Sequence, residues 1–184
     1  MEPKATLPAH DPESLALALK NRTQEPQLFR KFLRQYPSSA IDARVKELSA
    51  QIAPQIQCLD CAQCCKKLEP ELRKEEVQRI AQHKNMSPEA FIQAYLTPIQ
   101  QGEGYFFHRK PCIFLSDTAC TIYEDRPGTC AGYPHLDHAG FRFRLNLHAH
   151  YRLCPIVFSV TEKLMEALGY SPQKELHEQD KALD

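Results

Sequence analysis

Four of the chain's eight cysteines fall within eight residues, Cys58-Leu59-Asp60-Cys61-Ala62-Gln63-Cys64-Cys65. Two residues between successive thiols let a CxxC pair curl round one ion, with turn amides directed at the sulfurs. The succession Cys58, Cys61, Cys64 also matches the opening of a bacterial ferredoxin spacing, in which a distant cysteine followed by proline completes the set. Cys154-Pro155 is such a pair. The other thiols are Cys112, Cys120 and Cys130, with gaps of seven, nine and 23 residues from Cys112 through to Cys154. None of these gaps is a standard zinc-finger spacing. The spacing therefore leaves the grouping open: two four-thiolate zinc sites, one cluster plus one zinc, or one site with spare cysteines.

An even cysteine count also suits a disulfide framework. Against it, residues 1–8 lack the basic and apolar regions of a secretory signal. The compartment expected is cytoplasmic and reducing, where thiols stay free unless they hold metal. No stretch approaches the roughly 18 consecutive apolar residues of a membrane span. Lys plus Arg total 23 and Asp plus Glu total 23, so the 184-residue chain carries no formal net charge. That balance removes the footprint of a general nucleic-acid binder and any pull towards anionic membranes. Hydrophobic residues at 42% and charged residues at 25% are ordinary for a folded protein.

Other side chains are candidates for supporting roles. A zinc ion with four thiolates carries a net charge of about −2 and needs nearby donors or cations. Arg126, followed by Pro127, is the best placed donor behind the ligands, the alternative being an ion pair with Glu124 or Asp125. Cys154 is expected at a helix N-terminus, which lowers a thiol's pKa. His148 and His150 would share one face of a strand, and imidazole is a good zinc or iron ligand, although the cysteines alone can fill the sites. Tyr123 and Tyr133 read as packing aromatics. The glutamates between Glu69 and Glu76 alternate with Lys and Arg, a solvated helix face rather than a carboxylate site. No P-loop, GxGxxG, HExxH or Ser-His-Asp order supports a hydrolase or nucleotide-dependent enzyme.

The elements that must position these residues follow from periodicity. Residues 1–53 form a helical extension: Asp11 caps a helix with Pro12 first, a second runs from near Pro26 to Tyr36, and a third follows Ser38-Ser39 with Ile41, Val45, Leu48 and Ile52 at helical spacing. These helices pack on the cysteine module or serve as a docking arm for a protein partner. Residues 54–155 form the cysteine-bearing domain. Helices are expected from Arg73 to His83 and after Ser87-Pro88-Glu89, then short strands at Tyr105-Phe106-Phe107 and Cys112-Ile113-Phe114-Leu115. Phe141, Phe143, Leu145 and Leu147 alternate with polar residues as a half-buried strand. Residues 156–184 supply a last helix, with Gly169 as its stop, Pro172 beyond, and a polar tail from Gln173. The fold class is α+β, mostly helical, with a small antiparallel sheet and a cysteine-rich metal-binding core.

The ordered motifs CxxCxxCC, C-x-F-L from Cys112, C-x-I-Y-E-x-R-P from Cys120, C-x-x-Y-P from Cys130 and the final Cys154-Pro155 resemble the YkgJ-type cysteine-cluster family over residues 58–155. The resemblance implies a zinc- or iron-chelating domain in which all eight cysteines, Cys58, Cys61, Cys64, Cys65, Cys112, Cys120, Cys130 and Cys154, are ligands. Ile122, Tyr123, Glu124, Arg126 and Pro127 match its IYExRP signature. Ala62 stands where glycine is frequent, and Ala131 where an arginine often follows the cysteine. The family includes flagellin lysine N-methylase, which makes methyl transfer an analogy without a methyl-donor segment to support it. Three functions stand: a zinc or iron (or iron–sulfur) protein with a structural, buffering or sensing role; an iron–sulfur-dependent enzyme of methyltransferase or redox type; and a metal-stabilised interaction module.

Overall fold

Asp11 opens the first helix as its sequence dictates. Its carboxylate accepts the Ser14 N–H at 2.7 Å while the Ser14 hydroxyl accepts the Asp11 N–H at 3.1 Å, a reciprocal cap that starts α1 (Pro12–Ala18). The computed structural model describes residues 7–22, 25–144 and 147–171. Helix α2 (Glu25–Phe32) runs into a 3₁₀ turn at Leu33–Gln35, and both Phe29 and Leu33 are fully buried. Helix α3 (Ser38–Ile52) buries Ile41, Val45, Leu48 and Ile52, the four residues whose spacing announces it.

The chain divides into two compact units, Met1–Gln57 with Pro134–Asp184, and Cys58–Tyr133 between them in sequence. The cysteine-rich unit begins with two short helices, α4 (Cys58–Cys61) and α5 (Gln63–Lys67), joined by Ala62 in the left-handed region at φ 52°. Next come β1 (Glu71–Leu72), α6 (Lys74–Gln82), α7 (Pro88–Tyr95) and β2 (Leu96–Pro98). Ser87 caps α7 by accepting the Ala90 N–H at 3.2 Å, with Pro88 in its first turn. Strand β3 (Tyr105–Phe107) lies between β1 and β2 in an antiparallel three-stranded sheet, pairing Leu72 with Tyr105 and Leu96 with Phe107. Leu72, Val77, Ile80, Phe91, Phe107 and Phe114 anchor the core of this unit, and Cys112 and Cys120 pack against it.

Strand β4 (Leu115–Ser116) and β5 (Ala119–Cys120) form a hairpin, and α8 (Gly128–Ala131) is a single turn. The expected strand from Cys112 is shorter than its apolar run. The Leu115 N–H bonds back to the Cys112 carbonyl at 3.0 Å, so residues 112–114 turn and only Leu115 pairs.

The other unit resumes with a correction. Residues 141–143 form a 3₁₀ turn and Leu147 opens helix α9 (Leu147–Tyr151), so the alternating strand is not formed there. Leu145 and Asn146 lie outside the described residues. The cause is long-range: the Asp42 carboxylate on α3 accepts the Gly140 and Phe141 N–H groups at 2.8 and 2.9 Å, and Arg142 donates to the Arg34 and Tyr36 carbonyls. The Phe141 N–H is thereby taken from any strand ladder, and Arg142 ties the turn to residues 34–36. Helix α10 (Pro155–Ala167) is apolar on nearly every side and packs chiefly on α3. Its buried Ser159 donates to the Ala9 carbonyl at 2.7 Å and accepts the Ala9 N–H at 3.2 Å. The helix stops at Gly169 (φ 64°), whose N–H bonds Glu166 while that of Tyr170 bonds Met165. Pro172 and the tail from Gln173 lie outside the described residues. The fold is mostly helical α+β with small antiparallel sheets, as expected. No helix among the described residues is long and apolar enough to cross a membrane.

Two outcomes follow from this packing. Ala62 is buried and left-handed, a backbone that costs an L-residue about 1–2 kcal/mol. Ala62→Gly should raise the unfolding free energy in urea by about 0.5–1 kcal/mol, the left-handed cost less glycine's entropy; a loss of stability would contradict the strain. Burial, then His135 and Arg144, hold the His150 imidazole below its ordinary value of 6.5. The unfolded chain therefore takes the proton first, and stability falls as the pH drops below that value. His150→Gln should flatten the fall in melting temperature over that acid limb, and an unchanged slope would rule His150 out.

Candidate metal centre

Seven of the eight cysteines lie in the Cys58–Tyr133 unit, and Cys154 lies in the other. No disulfide joins any of the eight. Four segments bring the seven thiols in. The left-handed Ala62 breaks what would be one helix, so Cys58 and Cys61 sit on α4 and Cys64 and Cys65 on α5. The Cys112 N–H donates to the Cys65 carbonyl at 2.8 Å, which fastens the second segment to the first. Cys120 ends the β4–β5 hairpin opposite Leu115, and the Thr121 N–H closes that hairpin on the Phe114 carbonyl at 2.8 Å. Cys130 is carried by α8, whose turn begins at Pro127.

The thiols influence one another electrostatically. Cys64 and Cys65 have their Sγ atoms 3.9 Å apart, and that contact, followed by burial, raises the Cys65 pKa. Burial raises Cys58, Cys112 and Cys120, and in each case a charge on Cys65 raises it further. Burial first, then Cys112, Cys65 and Cys120, push Cys130 up to about 12. Cys65 is thus the neighbour common to Cys58, Cys112, Cys120 and Cys130. Against these effects, Arg126 favours the thiolate at Cys58, Cys120 and Cys130.

Among the described residues, no three His, Cys, Asp or Glu side chains form a group able to hold a metal ion as they stand. The donor set itself fits zinc or iron. It is soft and sulfur-rich, and at Cys58, Cys112, Cys120 and Cys130 burial and then neighbouring thiols oppose the thiolate, so a thiophilic cation would offset that cost.

The remaining candidates are distributed as follows. Cys154 is the residue before α10 and is 8% exposed. His150 is on helix α9, in the unit of Cys154, beside His135 and Arg144. The strand on which it and His148 would share a face is a helix, and the His148 side chain lies outside the described residues. Tyr123 is 37% exposed, and the Arg126 guanidinium carbon stands 3.7 Å from its ring centre. Asp125 meets Arg79 at 3.7 Å and His83 at 3.2 Å.

Sequence reasoning missed Glu76 and Arg79 on α6 and His83, which caps it. The Glu76 carboxylate accepts the Gly128 N–H at 2.8 Å and so fixes the start of α8. Arg79 donates to the Asp125 carbonyl, and His83 pairs with the Asp125 carboxylate. Together they pin the loop between Cys120 and Cys130. Charge alternation gave Glu76 as a solvated residue, and nothing local could reveal a partner 52 residues away.

No curated protein and no solved structure matches the chain. Residues 57–155, more than half of it, match the family CxxCxxCC, described as "Putative zinc- or iron-chelating domain". The match begins one residue before Cys58 and ends one residue after Cys154, so it spans all eight thiols. The chain belongs to this CxxCxxCC family of zinc- or iron-chelating domains.

Proposed function

We propose that this protein binds zinc or iron through thiolates and buffers or senses the metal, with Cys58, Cys61, Cys64, Cys65, Cys112, Cys120, Cys130 and Cys154 as its ligands. One observation carries the reading: thiols from four separate segments are electrostatic neighbours, with Cys65 common to most of them. The backbone bond between Cys65 and Cys112 and the hairpin that ends in Cys120 support a first set of Cys65, Cys112, Cys120 and Cys130. Cys58, Cys61 and Cys64 then serve a neighbouring set. Cys154 is included because the family match runs through it.

A buffering or sensing role is favoured over a purely structural one by the hydrophobic core. Leu72, Val77, Ile80, Phe91, Phe107 and Phe114 form a buried apolar core to which Cys112 and Cys120 add only partly buried contacts, whereas small domains folded by their metal have little other core. A cytoplasmic, reducing setting fits thiols that no disulfide joins.

Anaerobic purification with metal analysis and a visible spectrum tests the reading. A colourless protein holding zinc, or a brown one with iron and acid-labile sulfide, supports it and separates plain ions from a cluster. A wild-type protein that takes up neither metal refutes it. Cys65→Ser and Cys112→Ser should each remove about one equivalent, and the double variant no more than either, because ligands of one centre are not additive. Full metal content in both single variants would overturn the grouping.

A further inference from the structure

Helix α8 (Gly128–Ala131) carries Cys130 and is a single turn. One turn fixes several backbone dihedrals for very few hydrogen bonds, so it does not hold itself together in water. Its own sequence supplies no cap: the residue before it is Pro127, which makes no side-chain hydrogen bond to the turn. The missing acceptor comes from α6. Glu76 Oε1 accepts the Gly128 N–H at 2.8 Å and so satisfies one of the turn's orphan donors from 52 residues away. The carboxylate is itself fixed. The Glu76 side chain is 12% exposed, its Oε2 accepts the Arg73 N–H at 3.1 Å, and Arg79 Nη2 stands 3.6 Å from Oε1. Val77, Ile80 and Ala81 of the same helix are buried in the core, which sets where the acceptor stands. From Gly128 the turn closes on the thiol. The Cys130 and Ala131 N–H groups both donate to the Pro127 carbonyl at 2.9 Å, and the Gly132 N–H donates to the Gly128 carbonyl at 2.9 Å.

We propose that Glu76 is a positioning residue for Cys130: its carboxylate keeps the α8 turn formed in the metal-free protein, so that this thiol is in place before zinc or iron arrives. The inference deepens the proposed metal-binding reading and rests on Cys130 being a ligand there. A site that is ordered only part of the time binds more weakly by that fraction. Loss of a helix cap shifts the population of the capped turn by a factor of about 3–30, and the loss of metal affinity is bounded by the same factor. The agent is the acceptor oxygen rather than the charge, because what α8 lacks is a hydrogen-bond partner for Gly128. An amide at position 76 would keep an oxygen at the same reach, whereas a methyl group would not.

The test uses the full chain, kept anaerobic, as wild type, Glu76→Ala, Glu76→Gln, Cys130→Ser and the double variant Glu76→Ala with Cys130→Ser. In metal-free protein, a pulse of iodoacetamide followed by mass-spectrometric mapping reads each thiol separately. Cys130 should be alkylated about 3–30-fold faster in Glu76→Ala than in wild type, with Cys112 and Cys120 unchanged. Amide exchange over residues 130–132 should quicken in parallel. Chelator competition should then show zinc held less tightly by Glu76→Ala, by at most that factor, and nearly as in wild type by Glu76→Gln. The sulfur-to-cobalt absorption of cobalt-loaded Glu76→Ala should move towards that of Cys130→Ser. In the Cys130→Ser background, Glu76→Ala should cause no further loss of zinc, because its effect passes through that thiol. A further loss of the same size there, or equal acceleration of alkylation at Cys112 and Cys120, assigns Glu76 a general structural role and overturns the inference. Unchanged Cys130 alkylation and zinc retention in Glu76→Ala overturn it while leaving the thiolate centre standing. A Cys130→Ser protein that holds zinc as wild type does removes Cys130 from the ligands and the inference with it. A wild type that takes neither zinc nor cobalt removes the centre itself.

Discussion

Thiols held close together resist ionisation collectively. Burial removes the water that would solvate a thiolate, and each charge formed makes the next one harder to form. In the Cys58–Tyr133 unit both effects act on Cys58, Cys112, Cys120 and Cys130, with Cys65 as the recurring neighbour. Such an assembly has no favourable way to become anionic except in company with positive charge. The scaffold therefore has to gather the thiols by means that do not depend on sulfur.

It does so with a division of labour. An apolar core of Leu72, Val77, Ile80, Phe91, Phe107 and Phe114 fixes the sheet and the two helices beside it. Backbone bonds then hang the cysteine segments from that frame: Cys112 on Cys65, and Thr121 on Phe114. The hardest segment to hold is the loop from Ile122 to Pro127, which has no strand of its own. Helix α6 holds it from outside, with Glu76 on Gly128, Arg79 on the Asp125 carbonyl and His83 on the Asp125 carboxylate. Individually, exposed ion pairs contribute little, about 0–1 kcal/mol. Their value here is positional, since they hold Asp125 and define the start of α8.

Much of this was legible in the sequence where the determining forces are local. Asp11 with Pro12, Ser87 with Pro88, and the Ile41, Val45, Leu48, Ile52 spacing each announce a helix because caps and 3.6-residue periodicity act within a few residues. The crowding of Cys58 to Cys65 was equally plain, and so was the family. What failed was decided at a distance. Phe141 to Leu147 alternates like a strand, but Asp42, almost a hundred residues earlier, takes the N–H groups of Gly140 and Phe141. Glu76 reads as one more charge on a solvated face, and its partner Gly128 lies far along the chain. How the thiol-bearing segments meet was illegible for the same reason: the Cys112 N–H reaches the Cys65 carbonyl through tertiary structure rather than a local turn.

The proposed thiolate centre is tested most directly by X-ray absorption at the metal edge of anaerobically loaded protein. The account predicts a first shell of sulfur at about 2.3 Å for zinc, with the sulfur count falling when Cys65 or Cys112 is replaced by serine. A first shell of nitrogen and oxygen at about 2.0–2.2 Å, indifferent to those substitutions, would contradict it.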